Sequence, residues 1–230
     1  MAEYDRLDRL LTGLAADEWG RPTRAPGWAV SDQVEHLLIS EQAAGSALDG
    51  RSSEVFGPLR RRWGPLDRSP EGLISGWRAV RSATVERFTV RSDRDKVVWG
   101  AGPMSIRSFA QSRLMETWAH GLEIAAATDH RFEDTDRLHH VAGLAFRALP
   151  YAFAVAGVDR PAGELAIDLT APSGQRWWFG PDGTGEVIRG PAGDWCRVAT
   201  RRMRPEESAL VTTGLLSAAA LTVARAYLAD

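Results

Sequence analysis

At 230 residues the chain is long enough to bury a substantial core, as one large domain or two small ones. Its 44% hydrophobic and 25% charged residues are those of an ordinary soluble globular protein, and a net charge of −2 supplies no overall pull toward nucleic acid or an acidic membrane. No apolar run approaches the roughly 18–20 residues needed to cross a bilayer, so a membrane role is not expected either.

The first eight residues, Met1 to Asp8, are charged from the start and hold no apolar signal core. Leu7, Leu10, Leu11 and Leu14 recur at helical spacing and predict a first helix with one inward face. Pro22 and Pro26, within 20–27, break it. Ser31 is the expected N-cap of a second helix, with Asp32 in its first turn, running to about Asp49. Residues 51–68 read as a connection; its Arg60-Arg-Arg62 run is a solvated loop or a contact for an anionic ligand. Ser69-Pro70-Glu71 starts a third helix, proline being tolerated in the first turn. A short extended piece from Val97 to Pro103 leads to Ser105, the cap of a fourth helix, and a fifth covers about Thr135 to Val155.

From Gly157 the pattern changes. Residues 164–170, 175–179, 185–189 and 195–200 read as strands of an antiparallel sheet, with a Pro-Asp-Gly turn at 181–183. Residues 206–228 are Ala- and Leu-rich and read as a closing helix. Helices first and strands afterwards indicate an α+β protein, divided here into 1–156 and 157–230. The nine tryptophans are expected mainly as large core side chains. The single cysteine, Cys196, is expected as a buried packing residue in a strand; unable to form an internal disulfide, it points to a reducing cytoplasm.

The chemistry concentrates in Arg113-Leu-Met-Glu-Thr-Trp-Ala-His-Gly121. Glu116 and His120 are four apart on a helix and share a face. His36 lies in the second helix, and packing of the two helices would complete two histidines and one carboxylate. Three protein ligands leave positions open for water or substrate, as a catalytic metal requires. The competing reading is an i,i+4 polar pair on a solvated face. Leu114, Met115, Trp118, Leu122 and Ile124 argue for a helix packed on several sides, where a carboxylate without a counter-charge costs several kcal/mol. Asp32 and Glu35 are candidates to orient His36, or simply solvated residues. His139 and His140 are adjacent on a helix and cannot both face one site, and His130 falls in a loop. No glycine-rich phosphate loop, G-x-S-x-G elbow or paired-cysteine zinc motif is present.

Pro26-Gly-Trp-Ala-Val-Ser-Asp-Gln-Val-Glu-His-Leu37, followed by Glu116-Thr-Trp-Ala-His-Gly121, resembles the DinB-like superfamily. More narrowly, it resembles the mycothiol-dependent maleylpyruvate isomerase-like metal-binding branch. The resemblance implies a DinB-like four-helix bundle over 1–156 and a small sterol-carrier-protein-like α+β domain over 157–230. It also implies a divalent metal held by His36, Glu116 and His120: zinc first, nickel or iron as acceptable substitutes. The implied activity is that of a transferase or isomerase that uses a low-molecular-weight thiol such as mycothiol against a small electrophilic substrate. Two alternatives stand beside it: a hydrolase or lyase using metal-activated water, and a non-catalytic metal- or ligand-binding protein.

Overall fold

A computed structural model describes residues 1–51, 67–99 and 102–227. Most of the expected connection over 51–68, with its Arg60–Arg62 run, lies outside the described residues. Two compact units are resolved by their internal contacts, Met1–Phe132 and Glu133–Asp230.

Among the described residues the first unit carries four helices: α1 (Ala2–Gly13), α2 (Val30–Leu48), α3 (Pro70–Thr89) and α4 (Ile106–Ala127), with a 3-10 turn at Ala16–Gly20. Both α1 and α2 pack on α3 and α4, which closes the bundle. The caps follow local chemistry. Ser69 accepts the Gly72 amide at 3.0 Å and Ser105 accepts that of Ser108 at 3.1 Å, as expected for α3 and α4. Ser31 is not the cap of α2. The cap is Ala29, two residues earlier, where the Asp32 carboxylate reaches back to accept from the Ala29 amide at 2.8 Å. The extended piece is a hairpin, β1 (Lys96–Trp99) against β2 (Gly102–Ser105). Val97 from it joins Ala43, Ala44, Ala47, Leu48, Ile106 and Phe109 in one buried cluster. Leu7, Leu11, Leu37, Leu73, Trp77, Trp118 and Ile124 fill the bundle interior.

The second unit begins before the expected boundary at 156/157. Helix α5 (Leu138–Ala156) packs on the strand Arg176–Phe179 and on the later helices Ala192–Ala199 and Leu215–Val223, so it belongs with the sheet rather than with the bundle. It ends where Gly157 turns left-handed at φ 63°, which agrees with the expected end of the helical pattern. The sheet runs β4 (Arg176–Phe179), β3 (Leu165–Thr170), β5 (Glu186–Pro191), β6 (Val211–Thr213). Its central pair, β3 with β5, is parallel, against the all-antiparallel expectation.

Two further expectations are corrected here. Residues 195–200 do not form a strand: Ala192–Ala199 is helix α6, since Ala192, Trp195, Cys196 and Ala199 are buried at spacings of three and four. The closing segment is not one helix. It splits into a 3-10 turn (Pro205–Glu207), β6, and a shorter α7 (Leu215–Val223), because Val211–Thr213 takes the free edge of β5.

Candidate metal centre

His36, Glu116 and His120 come together within the first unit, α2 supplying the first and α4 the other two. One ligand atom from each lies within 4.8 Å of the other two. The Glu116 Oε2 atom stands 3.4 Å from His36 Nε2 and 3.4 Å from His120 Nε2. Two donors that each sit ~2.0–2.2 Å from a tetrahedral zinc are themselves about 3.4 Å apart, so the separations suit one small cation. The donors, two imidazole nitrogens and a carboxylate oxygen, are of the type zinc prefers.

Burial orients the site. His120 is 8% exposed, whereas the His36 side chain keeps 37% of its surface, so access is on the His36 side. The segment before α2 adds an aromatic wall. Pro22 bridges Ala29, and the Trp28 ring lies 5.3 Å from the His36 ring and 6.3 Å from that of His120, nearly parallel to the latter. Burial by itself would raise the Glu116 carboxyl. The imidazoles of His120 and His36 and the Arg113 guanidinium outweigh that and hold it well below the ordinary carboxylate value. Glu116 is therefore an anion in this setting.

Around this set lies a buried polar group that sequence reasoning missed. Tyr4 Oη donates to Glu41 Oε1 at 2.7 Å, and Arg113 Nη1 donates to Ser40 Oγ at 2.5 Å. Burial pushes the Glu41 carboxyl up, opposed by Arg113 and by its hydrogen bonds. Arg113, one turn before Glu116, is thus the cation that answers two buried carboxylates. Asp32 and Glu35 contact a different cation, Arg68, at 2.7 and 2.9 Å. The side chain that reaches a histidine of the set is instead Gln33, whose Oε1 lies 2.5 Å from His120 Nδ1. Its spacing of three from His36 puts it on the same face of α2, which was the available signal. No local pattern marks Trp28.

The other candidates lie in the second unit or in a loop. His139 and His140 are exposed on α5, with His139 edge-on to Trp177. His130 is exposed beyond α4. Cys196 is buried in α6, where its Sγ faces the Leu138 carbonyl at 3.7 Å. Burial first, and Asp134 second, raise its thiol well above the ordinary value, so it is a packing residue and not a nucleophile.

Residues 1–125 match the family described as "Mycothiol maleylpyruvate isomerase N-terminal domain". The chain belongs to this family. An uncharacterized protein of Mycobacterium tuberculosis is 35% identical over 98% of this chain and 92% of its own length. A second uncharacterized protein of that organism is 26% identical over 54% of this chain and 62% of its own. Among solved structures, a mycothiol-dependent maleylpyruvate isomerase shares the fold with a TM-score of 0.57 at 17% identity, over 92% of this chain and 88% of that one. A histidine-to-alanine variant of such an enzyme gives 0.56 at 16%, over 88% and 86%. With these two structures the chain shares the fold, helices followed by an α+β part.

Proposed function

We propose that this protein is a divalent-metal-dependent enzyme, zinc being the first choice and nickel or iron the next, that uses a low-molecular-weight thiol of the mycothiol type to transfer to or isomerise a small electrophilic substrate. The observation that carries the reading is the set of three donors, His36, Glu116 and His120, with Glu116 Oε2 at 3.4 Å from each imidazole. It is supported by membership of a family described by mycothiol and maleylpyruvate isomerase.

His36, Glu116 and His120 would hold the cation. Bound there, it would supply Lewis acidity that lowers the pKa of a coordinated thiol or polarises a carbonyl oxygen. The protein's own share follows from the site. Glu116 stays ionised, so its negative charge is present without the loss of a proton. Arg113 keeps that charge tolerable in a buried position by offsetting it and Glu41 together. Trp28 covers the two imidazoles on one side and limits water there, while the half-exposed His36 leaves an approach for substrate. The buried Cys196 takes no part, so the reacting sulfur must arrive with the thiol. A cytoplasmic setting suits such chemistry, since the thiol has to stay reduced. No helix among the described residues is long and apolar enough to cross a membrane.

The experiment is elemental analysis of the purified protein, then consumption of a low-molecular-weight thiol in the presence of an electrophile. Thiol- and metal-dependent turnover is the expected result. Turnover that needs metal but no thiol would replace this reading by the hydrolase or lyase one; a loaded protein that turns over nothing would make it a binding protein.

A further inference from the structure

We infer that Gln33 is a positioning residue for His120: its amide oxygen keeps a proton on Nδ1 of the imidazole, and this turns the Nε2 lone pair toward Glu116 and His36. The inference rests on the metal-centre reading above, and the test separates the two.

The direction of each hydrogen bond in a short chain decides the matter. The Trp28 carbonyl accepts from the Thr23 amide at 2.8 Å and from the Thr23 hydroxyl at 3.0 Å. A threonine hydroxyl has one proton, so once it is given to Trp28 the oxygen can only accept. Thr23 Oγ1 accepts from the Gln33 Nε2 amide group at 2.9 Å. With its NH2 end assigned to Thr23, Gln33 presents its oxygen to His120 Nδ1 at 2.5 Å. An amide oxygen has no proton to give, so Nδ1 must carry one. In a neutral imidazole with a proton on Nδ1, the other nitrogen is a bare lone pair.

That lone pair faces a carboxylate. His120 Nε2 lies 3.4 Å from Glu116 Oε2, so the carboxylate favours a positive charge at Nε2, either a second proton or a bound cation, over a bare lone pair. Gln33 is 1% exposed and His120 8%, so bulk water does not readily replace the amide. The Gln33–Thr23–Trp28 chain therefore occupies Nδ1 and leaves Nε2 as the His120 atom that a cation can take in place of a proton. It also ties the segment that carries the Trp28 ring to the orientation of the histidine that this ring overlies.

The test titrates zinc into wild type, Gln33→Leu, Gln33→Glu and Thr23→Val, with 15N NMR of the labelled histidines in the zinc-free and zinc-loaded protein. Gln33→Leu should weaken zinc binding about 10- to 100-fold, the usual loss when such a supporting group is removed. Gln33→Glu, whose carboxylate still accepts from Nδ1, should restore it. Thr23→Val frees the amide to turn over and should give a smaller loss. In wild type the Nδ1 of His120 should be protonated with or without zinc. Wild-type affinity in Gln33→Leu, or a His120 with a bare Nδ1, would overturn the inference. If Gln33→Leu does not fold, Thr23→Val and the wild-type spectra decide. Wild type that takes up no zinc while Nδ1 stays protonated would remove the metal centre and leave the role of Gln33 standing.

Discussion

His36 and Glu116 are 80 positions apart in the chain, yet Nε2 of one lies 3.4 Å from Oε2 of the other across the α2–α4 contact. That approach makes three separated residues into one donor set, and the first prediction follows from it. His120→Ala should abolish stoichiometric metal while the helical circular dichroism persists, because it removes one of the three proposed donors and the bundle has its own apolar core. Elemental analysis of the purified variant checks this; full metal content would exclude the site.

Thiol binding should need the metal. Glu116→Ala and His36→Ala should lose it, and Cys196→Ser, which alters a buried packing residue, should keep it. Free thiols have a pKa of roughly 8.5 and are deprotonated when they bind a metal, so about one proton should be released near neutral pH. Calorimetry in buffers of different ionisation enthalpy measures that proton. Metal-loaded protein that binds no small thiol would argue against the thiol-based chemistry.

Glu41 should make the bundle less stable as pH rises. Burial raises its carboxyl in the folded protein above the unfolded value, so the folded state binds the extra proton. Stability is then largest below the unfolded pKa and is lost as pH climbs through the folded one. Glu41→Gln keeps an acceptor for the Tyr4 hydroxyl and has no charge to bury. It should raise the melting temperature at pH 8 relative to wild type and flatten this part of the pH profile. An unchanged profile in thermal melts of the variant would show that Arg113 already neutralises Glu41.

Gly121 follows His120 directly and lies against Phe132. A Cβ there would stand 2.5 Å from Phe132 Cζ, closer than carbon atoms approach. Gly121→Ala must push the ring aside, at a cost of about 1–3 kcal/mol for an overpacked site. Differential scanning calorimetry should show a lower melting temperature. The neighbouring His120 should move with it and weaken metal binding; a variant as stable as wild type would mean that the Phe132 ring moves aside freely.

Much of this arrangement was legible from the residues alone. Spacing of three and four named the helices, serines at 69 and 105 named two of their starts, and Glu116 with His120 named a helix face, because helical periodicity and capping are local properties of neighbouring residues. Residues 195–200 misled, since so short a stretch satisfies both the alternating and the helical pattern until burial of Trp195 and Cys196 decides. The membership of α5 could not be read locally either, because it depends on which surface accepts its apolar face. Nor could the parallel pairing of β3 with β5, or the strand at Val211–Thr213, which exist through hydrogen bonds to distant backbone. At the site the division is the same. The sequence by itself determined which residues can donate to a metal and that two of them share a face. Only tertiary structure decided that His36 meets them, that Trp28 overlies the pair, and that Gln33 rather than Asp32 or Glu35 reaches His120, because each of these is a contact between segments whose separation in the chain says nothing about their distance in space.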